Sequence, residues 1–260
     1  MIEVNNVSYV IQKKQILQNI NLTIPQNSFA VIMGANGAGK STLLQLMAGS
    51  FAPTSGKIMI GGDDVAVLSP EKLSKRRAVL SQKYHLPFAL TVQEVVMMGR
   101  YPFFKNTPGI IYETIVTEAM QAMDVFQFAQ TNYQQLSGGE AQKVQMSRVL
   151  AQILDASAQQ KKYLFLDEPV SQLDIKFQYQ LMHIAKSLTR RHVTVLAILH
   201  DINLALQFAD SLHFIKNGML YQSLHHPAEI DIELIHQIFG VPAIKIKNSE
   251  TNFPFIYFQP

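Results

Sequence analysis

Nine consecutive residues, Gly34-Ala35-Asn36-Gly37-Ala38-Gly39-Lys40-Ser41-Thr42, have the types and spacing of a phosphate cradle. Glycines let the backbone turn tightly and aim successive N–H groups inward at anionic oxygens. An apolar strand-like run precedes them at 29–33 and a helical pattern follows at 43–48, so a helix N-terminus also faces the anion. In such a loop Lys40 reaches the β- and γ-phosphates and the Ser41 hydroxyl ligates Mg²⁺. A glycine-rich turn that merely packs is the competing reading, and the register of Lys-Ser-Thr argues against it. The expected ligand is a nucleoside triphosphate.

A second group of reactive residues lies far along the chain. The apolar run 163–166 ends in Asp167 and Glu168. A buried strand in an open α/β sheet delivers acids at its carboxyl end, where ligands collect. Asp167 is therefore expected to hold Mg²⁺, and Glu168 to act as general base on the attacking water. Leu136-Ser137-Gly138-Gly139-Glu140 opens a helix, with Ser137 as N-cap and two glycines leaving N–H groups open to an anion.

These residues need a scaffold, and the hydrophobic pattern supplies one. Residues 2–4, 16–17, 21–24 and 29–33 read as strands of a β-rich start. Strand signals follow at 57–60 and 78–81, then helical periodicity at 92–99, 112–126 and 139–154. Strand and helix alternate again at 163–166, 174–190, 193–199 and 202–208, before a hairpin around Asn217-Gly218. The expected fold is α/β, a mostly parallel sheet covered on both faces, with an N-terminal antiparallel β region and an inserted helical subdomain. The boundaries read as 1–82 and 161–229 for the core, 83–160 for the insert and 230–260 for a tail.

Composition narrows the class. Of 260 residues, 48% are hydrophobic and 16% charged, too apolar for a disordered chain. No apolar run approaches the ~18–20 residues of a membrane span, and Met1-Ile2-Glu3-Val4 is not a signal pattern, so the expectation is a soluble protein. There is no cysteine for disulfides or thiolate metal sites. A net charge of +3, with short clusters at Lys75-Arg76-Arg77 and Arg190-Arg191, reads as solvated helix faces rather than a nucleic-acid stripe.

The motifs 34–42, Gln82, 136–140, 164–168, Asp174 and His200, in that order, resemble the ATP-binding subunit of ABC transporters across essentially all of residues 1–230. The resemblance implies a phosphate-loop ATPase core using ATP and Mg²⁺, working as a homodimer under two membrane permease subunits. It implies a peripheral position on the cytoplasmic face of the inner membrane, with a periplasmic binding protein as indirect partner. Ser137, Gly138 and Gly139 match the signature motif that completes the other subunit's ATP site. Gln82 matches the residue that touches Mg²⁺ and the attacking water, and His200 the switch histidine at γ-phosphate. Asp174 matches the loop that communicates between the two sites.

Residues 76–82 and 90–100 look like the branch that imports iron–siderophores, cobalamin and hemin. Ser81 before Gln82, the extra residues within 153–162 and the run 195–204 resemble hemin import subunits. Hemin import is thus expected, with a ferric siderophore or cobalamin as alternative. A soluble ABC ATPase acting on nucleic acid or ribosomes is a further alternative, though the chain has one phosphate loop and no coiled-coil insert. His85, His225 and His226 are not read as heme ligands, because cargo crosses between the membrane subunits. The sequence departs from the branch at Phe103 and Val170, and at Ile11, where an aromatic usually stacks on adenine; Tyr9 lies two residues earlier. Leu86, Pro87, Phe88, Phe103 and Phe104 form an apolar cluster open to two readings, a permease docking surface or the insert's own core.

Overall fold

The computed structural model describes residues 1–82, 86, 88–104, 109–154, 161–247 and 253–259. Tyr84, His85, Pro87 and most of the extra residues within 153–162 lie outside the described residues.

The N-terminal region is an antiparallel sheet of β1 (Ile2–Ile11), β2 (Lys14–Ile24), β4 (Ser55–Ile60) and β5 (Asp63–Asp64), in the order β2-β1-β4-β5. The three separate short strands expected between 2 and 24 are two long ones, bent by register shifts along β1. A second sheet runs β10-β9-β3-β8-β7-β6 among the described residues. It comprises β3 (Phe29–Met33), β6 (Arg77–Leu80), β7 (Lys162–Asp167), β8 (Val193–Ile198), β9 (Ser211–Lys216) and β10 (Met219–Leu224). All its pairings are parallel except the β9–β10 hairpin. Asn217 and Gly218, both at positive φ (51° and 75°), make the tight turn of that hairpin.

Strand β3 is apolar throughout because both its faces are covered. Phe29, Val31 and Met33 face one core, shared with the helices; Ala30 and Ile32 face the other. That second core is filled by α1 (Lys40–Met47) and the antiparallel sheet, with Leu43, Leu44, Leu46 and Met47 buried beside Ile2, Val4 and Ile24. The helices α2 (Pro70–Arg76), α3 (Val92–Met97), α4 (Gly109–Ala122) and α5 (Gly138–Ile153) lie between β5 and β7 in the chain. Reciprocal capping boxes start two of them, Thr91 with Glu94 for α3 and Ser137 with Glu140 for α5. A 3₁₀ turn over Met98–Phe103 passes close under α5, and a Cβ on Gly99 would come within 2.2 Å of the Arg148 carbonyl.

The apolar cluster after Gln82 divides. Phe103 is buried, with the buried Arg100 guanidinium 4.1 Å over its ring, and Leu86 packs against the main core. Phe88 is 70% exposed, and Tyr101 and Phe104 are also largely open. Phe103 is therefore a core residue and not part of a docking face.

The remaining helices are α6 (Ile175–Thr189), α7 (Ile202–Phe208) and α8 (Ile232–Phe239). The tail contributes α8 and a hairpin of β11 (Ala243–Ile246) and β12 (Phe255–Phe258). The Asn203 side chain anchors the hairpin by pairing with both backbone groups of Ile256, at 2.7 and 2.9 Å.

Candidate active site

Because β6, β7, β8 and β3 run parallel, the residues that follow them emerge at one edge of the sheet. Gly34 follows β3, Gln82 lies two residues after β6, Asp167 ends β7 with Glu168 next, and His200 lies two residues after β8. Four segments distant in sequence thus converge.

The phosphate loop runs from Gly34 to the start of α1, where Gly39 is the N-cap in the left-handed region. Ala35, Asn36 and Gly37 are exposed, whereas Gly34, Ala38 and Lys40 are buried. A Cβ on Gly34 (φ 149°) would lie 2.1 Å from the Ile215 carbonyl oxygen, so no other residue fits there. The hairpin turn props the loop from behind, with the Gly218 N–H donating to the Ala38 carbonyl at 3.2 Å. Nothing local in the sequence links residue 218 to residue 38; only the fold shows that support.

Lys40 Nζ donates to the carbonyls of Gly34 and Ala35, both at 2.9 Å. Burial lowers its pKa, opposed by the Glu168 and Asp167 carboxylates. Ser41 Oγ donates to Asp167 Oδ1 at 3.0 Å, joining the two residues expected to share a metal. Burial raises the Asp167 pKa, outweighing the Ser41 hydrogen bond. Thr42 is half-buried in the first turn of α1.

Glu168 sits at the centre of the second group. Gln82 Nε2 donates to its Oε2 at 2.7 Å, and His200 Nε2 pairs with its Oε1 at 2.7 Å. Its backbone is left-handed, at φ 51°, which costs a non-glycine residue on the order of 1–3 kcal/mol. Strain of this kind persists where the surroundings over-determine the conformation, and here it falls on the central carboxylate.

A cleft of about 410 Å³ opens beside this carboxylate, lined by Gln82, Asp167, Glu168, Gly138, Gln142 and Gln172 among others. The signature segment forms its far wall. Ser137 Oγ donates to Glu140 Oε2 at 2.6 Å and accepts from the Glu140 N–H, closing the cap of α5. That bonding keeps the Glu140 carboxyl below its usual pKa. Cβ atoms on Gly138 and Gly139 would lie 3.1 and 3.2 Å from atoms of Gln172, so both glycines admit the 171–174 loop closely. Asp174 caps α6, its Oδ1 accepting from the Phe177 N–H at 3.0 Å.

Four residues singled out in the sequence stand apart from this centre. Tyr9 is half-buried and stacks on Phe51, ring centroids 6.2 Å apart, while Ile11 is 45% exposed. His225 and His226 are exposed, and His226 caps a short 3₁₀ turn through Nδ1. Among the described residues, no three His, Asp or Glu side chains gather as a metal cluster, and no helix is long and apolar enough to cross a membrane.

The ABC transporter family profile matches residues 17–171. The hemin import ATP-binding protein HmuV of Bordetella pertussis is 42% identical over 231 residues, which is 88% of this chain and 87% of that protein. HmuV of Escherichia coli O157:H7 is 35% identical over 257 residues, 98% of both chains. A dimeric ATP-binding cassette in a post-hydrolysis state, bound to ADP and Pi, is similar at TM-score 0.76 and 27% identity, covering 86% of this chain and 98% of that one. An inward-facing metal-chelate type ABC transporter shares the fold at TM-score 0.80 and 22% identity, covering 100% of this chain and 97% of that one. With the phosphate loop, the acidic strand end and the signature helix in one cleft-bearing fold, the chain belongs to the ABC transporter family and is one of its ATP-binding, ATP-hydrolysing subunits.

Proposed function

We propose that this chain is the ATPase of a hemin importer, working as a head-to-tail homodimer beneath two membrane permease subunits. The observation that carries the catalytic part is the placement of Glu168, held between Gln82 and His200 directly after Asp167. ATP phosphates take the loop 34–42, with Lys40 turning from the Gly34 and Ala35 carbonyls to the more strongly charged phosphate oxygens. Glu168 accepts the proton of the attacking water, Gln82 orients that water, and His200 holds the γ-phosphate side.

The donor set suits Mg²⁺. A hydroxyl and a carboxylate, already 3.0 Å apart, are hard oxygen ligands, and such an ion takes its remaining ligands from phosphates and water. Ser41 and Asp167 would hold it, with Gln82 at its edge. When bound, it would neutralise charge on the transferring phosphoryl group.

Ser137, Gly138 and Gly139 are assigned to the partner subunit's γ-phosphate, and Asp174 to communication between the two sites. Residues 83–160 are assigned as a helical unit that moves against the core, exposing Phe88, Tyr101 and Phe104 for the permease. Adenine is left without an aromatic platform at Ile11. The hemin assignment rests on the relatives, since no residue of this subunit is expected to touch cargo.

The test reconstitutes this subunit with its permease and binding protein, then compares hemin, a ferric siderophore and cobalamin. Loaded binding protein shifts the assembly toward its ATP-closed state, so only the right cargo raises ATP turnover. Stimulation by cobalamin or siderophore without hemin would overturn the cargo assignment and leave the ATPase untouched.

A further inference from the structure

The signature helix does more than present Ser137 and the two glycines. One turn in from its start, Gln142 reaches across the cleft to the segment that follows β7. Its Nε2 donates to the Pro169 carbonyl at 2.5 Å and lies 3.5 Å from the Glu168 carbonyl. Its Oε1 accepts from the Gln172 backbone N–H at 3.2 Å. One amide thus bridges both ends of the turn 168–172. From the other side, Gln178 Nε2 donates to the Val170 and Leu173 carbonyls, at 3.3 and 2.9 Å. Ser171 Oγ adds a bond to the Glu168 carbonyl at 3.2 Å.

The turn so held begins at the one residue of the site with a strained backbone. Glu168 sits at φ 51°, and that twist aims its carboxylate at Gln82 and His200. The same helix grips the other partner of this contact. Arg148 lies 3.4 Å from the Val79 carbonyl, and Gln152 Nε2 donates to the Ser74 and Arg77 carbonyls, at 2.8 and 2.9 Å. Helix α5 therefore spans from the strand that leads to Gln82 to the turn that carries Glu168.

We propose that Gln142 is a positioning residue for Glu168, locking its left-handed backbone to the signature helix so that the carboxylate meets water in register. The proposal rests on Glu168 being the general base. It makes the base sensitive to the position of α5, whose N-terminus belongs to the partner's ATP site. A primary amide is needed because it donates to a carbonyl and accepts from an N–H at once.

The test uses the full-length chain with Gln142→Ala, Gln142→Glu and, in parallel, Glu168→Gln. Misplacing a catalytic group by about an ångström costs up to ~10²-fold. In both Gln142 variants kcat should fall about ten- to hundredfold, with KM for ATP within about threefold. Gln142→Glu keeps the volume and the acceptor but loses the donor, so it should resemble the alanine variant. The ATP-bound dimer should accumulate on a sizing column, as expected for Glu168→Gln. Parental kcat in both Gln142 variants overturns the proposal and leaves the Glu168 reading standing. Weaker ATP binding, a lost dimer or a chain that no longer folds also overturns it, since Gln142 would then be an architectural residue of α5. If Glu168→Gln itself turns over ATP at the parental rate, the general-base reading fails, and a role exercised through Glu168 fails with it.

Discussion

The side-chain amide of Gln82 donates to the carboxylate of Glu168 at 2.7 Å, closing a contact between residues 86 apart in the chain. One residue leads into the helical segment and the other directly follows the buried strand β7. A movement that displaced Gln82 would break this hydrogen bond, which under the proposed general-base role of Glu168 would couple motion to chemistry.

Glu168→Gln removes the carboxylate proposed as proton acceptor while keeping the shape of the Gln82–Glu168–His200 group. Turnover should fall ~10²–10⁴-fold with ATP binding retained. Single-turnover hydrolysis, read beside nucleotide occupancy, checks this. A parental rate would exclude Glu168 as base.

Lys40→Ala should cost at least about tenfold in ATP affinity, or ~1.4 kcal/mol. The buried ammonium is the cation of the loop, and alanine also leaves the Gly34 and Ala35 carbonyls without its bonds. Equilibrium binding of ATP measures the loss. Lys40→Arg should not restore affinity, because a planar guanidinium does not fit a site built for a compact ammonium.

Head-to-tail pairing predicts an asymmetric complementation. In a heterodimer of Lys40→Ala and Ser137→Arg chains, both defects fall on one composite site and the other stays intact. Nucleotide occupancy should be one ATP per dimer. Loss of the second ATP as well would mean that each chain uses its own Ser137.

Phe88 and Phe103, on either side of α3, should behave oppositely. Phe103→Asp buries a carboxylate beneath Arg100 and should destabilise the chain by several kcal/mol. Phe88→Asp, at a side chain 70% exposed, should leave melting and ATP binding unchanged while weakening association with the permease. Thermal melting and co-purification with the membrane subunits separate the two effects.

His213 gives an acid-side stability prediction. Burial pushes its pKa down to about 4 from 6.5, with Ser211 Oγ and Ser223 Oγ as partners on its two ring nitrogens, at 3.0 and 2.9 Å. The unfolded chain binds this proton first, so its contribution is present above pH 6.5 and is lost as pH falls toward 4. The full effect is about 3 kcal/mol. Denaturant midpoints should drop across that window, and His213→Gln should flatten the slope.

The residues themselves determined what is local. A phosphate loop is built from backbone N–H groups of consecutive residues, so Gly34 to Thr42 could be read from spacing alone. The parallel sheet was equally legible, because strand and helix signals alternate from 163 to 208. Asp167 and Glu168 were legible as acids at the carboxyl end of an apolar strand, whereas Gln82 and His200 stood out only through the family resemblance.

Only the tertiary structure decided the partners. Lys40 takes two carbonyls of its own loop, and Gly218 supports Ala38 from a hairpin that local pattern does not connect to it. Phe103 and Phe88 are the same residue type in the same apolar stretch, and packing alone buries one and exposes the other. Nothing local singles out Gln142, because a glutamine acquires a role only when a distant turn brings carbonyls within reach of its amide. Spacing along the chain specifies backbone conformation, whereas side-chain hydrogen bonds and burial depend on which surfaces meet after folding.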